Sequence, residues 1–168
     1  MNTAHSTALR HLEYHAWATA KTIESVSPLS HEELLRDMKT AHSSVWGTLE
    51  HIYRADNLWL KRLNGAIDAK ISDDEAVSDL SDLQSKWQVI QAQLISFAGS
   101  LSNTGLERVM EYRLLSGDQT RSAVYESLLQ VVNHGTYHRG QIAAMLRQLG
   151  AVPIPTDFIR FVWAIKDK

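Results

Sequence analysis

Seven apolar residues, Leu80, Leu83, Trp87, Ile90, Leu94, Phe97 and Leu101, recur at alternating steps of three and four. That spacing puts all of them on one side of an α-helix about twenty residues long and leaves the other side polar. A helix of this kind buries its stripe only against other helices or a sheet. The rest of the chain offers helices. A first long helix is expected from about Thr3 to Val26, burying Leu9, Leu12, Ala16 and Ile23 and ended by Ser27 and Pro28. A second long helix is expected from about Ser43 to Asn64, with Gly65 placed to stop it, and a fourth from about Ser122 to Leu149, closed by Gly150. Four amphipathic helices in one chain predict an all-α fold, a four-helix bundle. The 168 residues are enough for one domain over their whole length, with a core that needs no staples.

Shorter signals fill the connections. Ser30 with Glu33 forms a capping-box pattern that predicts a short helix, and Ser72 with Glu75 repeats the pattern ahead of the third long helix. Asn103 and Gly105 mark that helix's end. One stretch breaks the helical rhythm: Glu107 to Arg113 alternates polar and apolar residues, and Ser116-Gly117-Asp118 follows. It predicts a short hairpin-like excursion before the last long helix. Pro153 and Pro155 enforce an extended exit, and the apolar tail from Asp157 to Ile165 is expected to pack back on the body.

Composition narrows the function classes. The formal net charge is −2, so there is no basic footprint for nucleic acid. No apolar run reaches the length of a membrane span. The start, MNTAHSTALRHLEYHAW, lacks an apolar core behind basic residues and does not read as a secretory signal, so a cytoplasmic location is expected. Cysteine is absent, which excludes thiolate metal ligands and a cysteine nucleophile; any transition-metal site must use imidazole and carboxylate. Histidine is plentiful at eight residues, and it is the commonest protein metal ligand.

Two histidine pairs have helical spacing. His134 and His138 lie four apart at the edge of the fourth helix's apolar stripe, on a strip with Ser127, Gln141 and Met145. Two imidazoles so placed share a face and can bind one ion; on the residues alone, a pair of ordinary core-edge histidines explains the spacing better. His11 and His15 have the same spacing, and a solvent-facing pair is the expectation for them. His5, His31 and His42 fall near helix ends or in loops, where surface positions are the default.

The segment His134-Gly135-Thr136-Tyr137-His138-Arg139-Gly140-Gln141-Ile142, with Leu146 to Gly150, Pro153 and Asp157 behind it, resembles the C-terminal signature of the DinB-like (DinB/YfiT-like) family. Ser44 to Leu60, including Leu49-Glu50-His51-Ile52-Tyr53, resembles that family's second-helix signature, and Tyr14-His15-Ala16-Trp17-Ala18 is similar to the start of such chains. The resemblance spans nearly the whole sequence. It implies an up-down-down-up four-helix bundle, often a homodimer, with one divalent ion, nickel or zinc, held by His51, His134 and His138. Periodicity by itself makes His51 peripheral, because the strongest stripe of its helix is Val45, Leu49, Ile52, Asp56, Leu60 and Leu63.

Around such a site Gln141 is a candidate for orienting a ligand or bound water, and Arg139 for an anionic substrate group, although an exposed helix arginine is the plainer reading of Arg139. Gly140 is expected to allow close helix approach, Tyr137 and Trp59 to be core or interface aromatics, and Asp56 to be a buried hydrogen-bonded carboxylate. No residue is singled out as catalytic. Three protein ligands leave a metal position open, and similar families move a low-molecular-weight thiol, such as bacillithiol or mycothiol, onto or through a small electrophile. The resemblance therefore implies a metal-dependent enzyme with a small-molecule substrate, a thiol S-transferase or isomerase. Metal-assisted hydrolysis competes at the same site, a non-catalytic stress-associated metal- or ligand-binding bundle is the alternative from another class, and a metal-free dimerisation module is a third. The surplus of tryptophans is compatible with an apolar interface between two copies.

Overall fold

The computed structural model describes residues 3–72 and 75–166. Four long helices, α1 (Thr3–Val26), α3 (Val45–Leu63), α4 (Leu80–Ser100) and α6 (Val124–Gln148), form the body. Two short helices, α2 (His31–Leu35) and α5 (Asn103–Glu107), lie in the connections, and α7 (Phe158–Lys166) closes the chain. No helix of the described residues is long and apolar enough to cross a membrane.

Each long helix packs on two others: α1 on α4 and α6, and α3 on the same two, so α1 and α3 are diagonal. Cross-contacts give the directions. His5 at the start of α1 meets the Ala98 carbonyl near the end of α4, so those two are antiparallel. His15 meets Arg139, and ten residues further along α1 the Ser25 hydroxyl accepts from the Ile154 N–H beyond the end of α6, so α1 and α6 are parallel. His51 meets His134, while Thr40 ahead of α3 reaches Met145 late in α6, so α3 runs against α6. The bundle is therefore up-down-down-up. The parallel pair α3 and α4 requires the long crossover between Leu63 and Leu80.

The core is built from the expected stripes. Leu83, Trp87, Ile90 and Leu94 of α4 are buried, joined by Ala98, while Leu80, Phe97 and Leu101 are half-buried at its ends. On α3 Val45, Leu49, Ile52, Leu60 and Leu63 are buried, and Asp56 is buried among them. On α1 Leu12 and Ile23 are buried, whereas Leu9 and Ala16 are only half-buried. The main stripe there is Ala8, Leu12, His15, Thr19, Thr22 and Val26.

Capping chemistry sets the boundaries. Ser30 and Glu33 make both bonds of a capping box at α2. Ser44 caps α3, its hydroxyl accepting from the Gly47 N–H, and Gly65 follows the helix at φ +93. The pattern at Ser72 and Glu75 does not start the third long helix. That helix begins at Leu80, capped by Asp79, whose carboxylate accepts from the N–H groups of Ser81 and Asp82. Glu75 is drawn elsewhere, buried against Lys61. The helix expected from Ser122 starts at Val124, because Ser122 is still in a strand.

The excursion is an antiparallel hairpin, β1 (Val109–Arg113) with β2 (Gln119–Ala123), turning at Gly117 with φ +97. Alternation buries Met110 and Tyr112. Tyr112 stacks edge-on against Trp59 and under the Arg62 guanidinium, which docks the hairpin on the end of α3. The tail packs back through Phe161 against Tyr14 and Trp17 of α1. Of the five tryptophans only Trp163 is exposed.

Candidate metal centre

Four imidazoles meet where the start of α3 crosses the middle of α6. His51 comes from the second turn of α3, His134 and His138 from one face of α6, and His42 from the loop that leads into α3. Nε2 of His51 and Nε2 of His134 lie 3.0 Å apart. The rings of His51, His134 and His138 form a nearly even triangle, with centres 4.9, 4.6 and 4.5 Å apart and planes inclined by 56 to 73°. Imidazoles bound to one ion at about 2.0–2.1 Å hold their ring centres roughly 5 Å apart, with planes that meet at the ion. The ring-centre spacings of the triangle are of that size.

His42 stands differently. Its ring centre is 3.8 Å from that of His51 and their planes differ by 18°, a face-to-face stack. One nitrogen from each of His42, His51 and His138 lies within 4.8 Å of the others, so proximity alone would make these three a ligand set. Direction argues otherwise. Nearly parallel rings stacked face to face cannot both aim an in-plane lone pair at one ion. His42 therefore walls the site beside His51 without sharing an ion with it in this arrangement.

The sequence reading left His42 as a surface loop histidine, and local backbone geometry explains why it is not. The loop from Arg36 to Ser44 turns through two non-glycine residues in the left-handed region, Lys39 at φ 56 and Ser43 at φ 60. Such residues cost about 1 kcal/mol or more each. Bonds from Met38 N–H to the Ser43 carbonyl (2.6 Å) and from Ser43 N–H to the Thr40 carbonyl (3.0 Å) hold the turn. Gly47 lets it settle on the first turn of α3: a Cβ there would lie 2.3 Å from the His42 carbonyl oxygen. Gly47 was the one readable signal.

The electrostatics favour the neutral form of His42, His51 and His134. Burial first, then the neighbouring imidazoles His42, His134 and His138, push His51 down to about 4. Burial and His138 push His134 down to about 4, opposed by the Asp56 carboxylate. His42 is lowered by burial and by His138. Gln141 Oε1 lies 2.8 Å from His138 Nδ1. An acceptor there fixes the proton on Nδ1 and leaves Nε2 free. Imidazole nitrogen donors suit a divalent transition metal and suit magnesium or calcium poorly.

The other singled-out residues lie elsewhere. His11 and His15 are not a solvent-facing pair. His11 stacks on Phe158. His15 is 1% exposed, with Nε2 at 2.8 Å from Asp56 Oδ2. Arg139 is not an exposed arginine; it is buried, with Nη1 donating to His15 Nδ1 at 3.1 Å, Nη2 donating to Thr136, and its guanidinium over the Tyr14 ring. Trp87 Nε1–H completes the set, donating to Asp56 Oδ2 at 2.7 Å. The close helix approach is at Gly135, where a Cβ would meet His15 Cε1 at 2.3 Å, and not at Gly140, which has open space. Tyr137 is neither core nor buried: it is 65% exposed and edge-on to His138, at the rim of the imidazole cluster.

An up-down-down-up bundle with imidazoles converging from its second and last long helices defines a class of helical protein with a candidate metal pocket. The chain belongs to the DinB family, whose model matches residues 1–168. It is 26% identical to the protein DinB of Bacillus subtilis over 166 residues, 95% of each chain. Among solved structures it is similar to a DinB-like protein from Bacillus cereus, with a TM-score of 0.68 and 17% identity over 88% of this chain and 94% of that one. It is also similar to YfiT from Bacillus subtilis, described as a probable metal-dependent hydrolase with an unusual four-helix bundle topology. There the TM-score is 0.64 and the identity 12%, over 89% of this chain and 90% of that one.

Proposed function

We propose that the protein is a metal-dependent enzyme whose single divalent ion, zinc or nickel, is held by His51, His134 and His138. The observation that carries this reading is the inclined triangle of three rings, with two Nε2 atoms 3.0 Å apart and the third ring's proton placed on the far nitrogen by Gln141. An ion bound by three protein ligands keeps a position for a non-protein ligand and supplies Lewis acidity to it. The residues of the chain do the rest. Gln141 orients the His138 ring, His42 covers the face of His51, and the exposed Tyr137 ring stands at a steep angle to His138.

The chain has no cysteine, so a sulfur nucleophile must come from a small thiol. Transfer of a low-molecular-weight thiol to a small electrophile is the leading reaction. Hydrolysis is the second reading, supported by the description of YfiT. Binding of one cobalt ion to the metal-free protein, followed by titration with a small thiol, separates them. A new thiolate-to-cobalt absorption band supports thiol transfer. An unchanged spectrum, with turnover of an activated ester or amide instead, supports hydrolysis. A homodimer and a cytoplasmic setting are proposed with this reading, on the family resemblance.

A further inference from the structure

The same two helices that carry the imidazole triangle carry a second, buried polar cluster beside it. Asp56, five residues after His51 on α3, is buried, and its Oδ2 accepts from both His15 Nε2–H and Trp87 Nε1–H. Its other oxygen, Oδ1, is buried and has no partner among the described residues. On α6, Nδ1 of His134 is likewise buried and without a partner. The two atoms belong to helices packed on each other. His15, bonded to Asp56, lies against the backbone of Gly135, the residue after His134. The carboxylate also acts electrostatically on His134, against the effect of burial.

The chemistry of the two atoms is complementary. When Nε2 of a neutral imidazole binds an ion, the proton sits on Nδ1, and a buried N–H without an acceptor costs about 1–3 kcal/mol. A buried carboxylate oxygen without a donor carries a similar cost. We propose that Asp56 is a positioning residue for the metal ligand His134, its Oδ1 receiving the Nδ1–H through one bridging water. This inference rests on the three-histidine reading above. Such partners fix the tautomer and orientation of a ligating histidine and raise its basicity, and their loss weakens metal binding by roughly ten- to a hundred-fold. Asp56 is itself aimed by His15, which is held in turn by Arg139. His15 Nδ1 must be an acceptor, since a guanidinium only donates, so its one proton goes to Asp56.

The test is zinc affinity, measured by competition with a chromogenic chelator, for the wild type, Asp56→Asn and Trp87→Phe. Trp87→Phe removes a donor from the same carboxylate but leaves Oδ1 and the charge. Asp56→Asn is expected to lose roughly ten- to a hundred-fold in affinity, and Trp87→Phe to stay within about twofold. Equal losses in both variants, or none in Asp56→Asn, would overturn the proposal. The wild type gives a second readout should Asp56→Asn fail to fold. In the zinc-loaded protein, nitrogen-edited NMR should show a His134 Nδ1 proton protected from solvent exchange, and a rapidly exchanging proton overturns the assignment. A wild type that binds zinc while Asp56→Asn binds it equally well removes only this inference. A wild type that binds none removes the functional reading first.

Discussion

Two histidine-bearing clusters sit back to back in this bundle, and they follow opposite rules. The cluster of His15, Asp56, Trp87 and Arg139 is buried. Its carboxylate and guanidinium are joined through one imidazole, and most polar atoms have a partner within the chain. The cluster of His42, His51, His134 and His138 is half-open, carries no carboxylate, and turns nitrogen toward nitrogen at 3.0 Å. The first looks inward and joins α1, α3, α4 and α6. In the second, His51 Nε2 and His134 Nε2 share one hydrogen bond, and a cation suits the place of that shared proton. Residue type does not separate them, since both are histidine-rich. What separates them is the partner: His15 bonds to a buried carboxylate and a guanidinium, whereas His51 and His134 bond to each other.

That contrast is open to mutation. Asp56→Ala removes the hub of the buried cluster and leaves the Arg139 charge uncompensated, so a loss of about 3–5 kcal/mol is expected in denaturant unfolding of the metal-free protein. A loss under about 1 kcal/mol would show that the buried cluster is not structural. His51→Ala in the same assay should be near neutral, because the open cluster stabilises little without its ion. Gly135→Ala drives a methyl group into the His15 ring and should cost about 1–3 kcal/mol, whereas Gly140→Ala, with open space around it, should gain about 0.5–1 kcal/mol.

Acid sharpens the difference. His51 and His134 have folded values near 4, below the ordinary 6.5. The unfolded chain therefore binds protons first as pH falls, so their contribution is fully present above about 6.5 and is lost between there and about 4. Discounted for their partial exposure, each is expected to contribute on the order of 1 kcal/mol. Metal-free His51→Ala should flatten the pH–stability curve in that window. An unchanged curve would show that the imidazoles titrate normally.

The bundle was legible because its stripes are regular: α4 could be drawn residue by residue, and the hairpin followed from alternation and Gly117. The pattern at Ser72 and Glu75 misled because the Glu75 side chain pairs with Lys61, which sequence spacing does not reveal. His15 was readable and missed: it continues the stripe of Ala8, Leu12, Thr19, Thr22 and Val26, and its spacing from His11 drew attention to the wrong face. His51 was invisible to periodicity because α3 is packed on two sides, with its oily stripe toward the core and His51 toward α6. His42 depends on left-handed turns at Lys39 and Ser43, residue types that give no warning of that geometry.

The most direct measurement of the central claim is the metal content of the purified, untagged protein after loading with zinc or nickel, beside His51→Ala, His134→Ala and His138→Ala. Roughly one ion per chain in the wild type, lost in all three variants while the helical fold is retained, is the predicted result. A metal-free wild type, or an ion that survives all three substitutions, would contradict it.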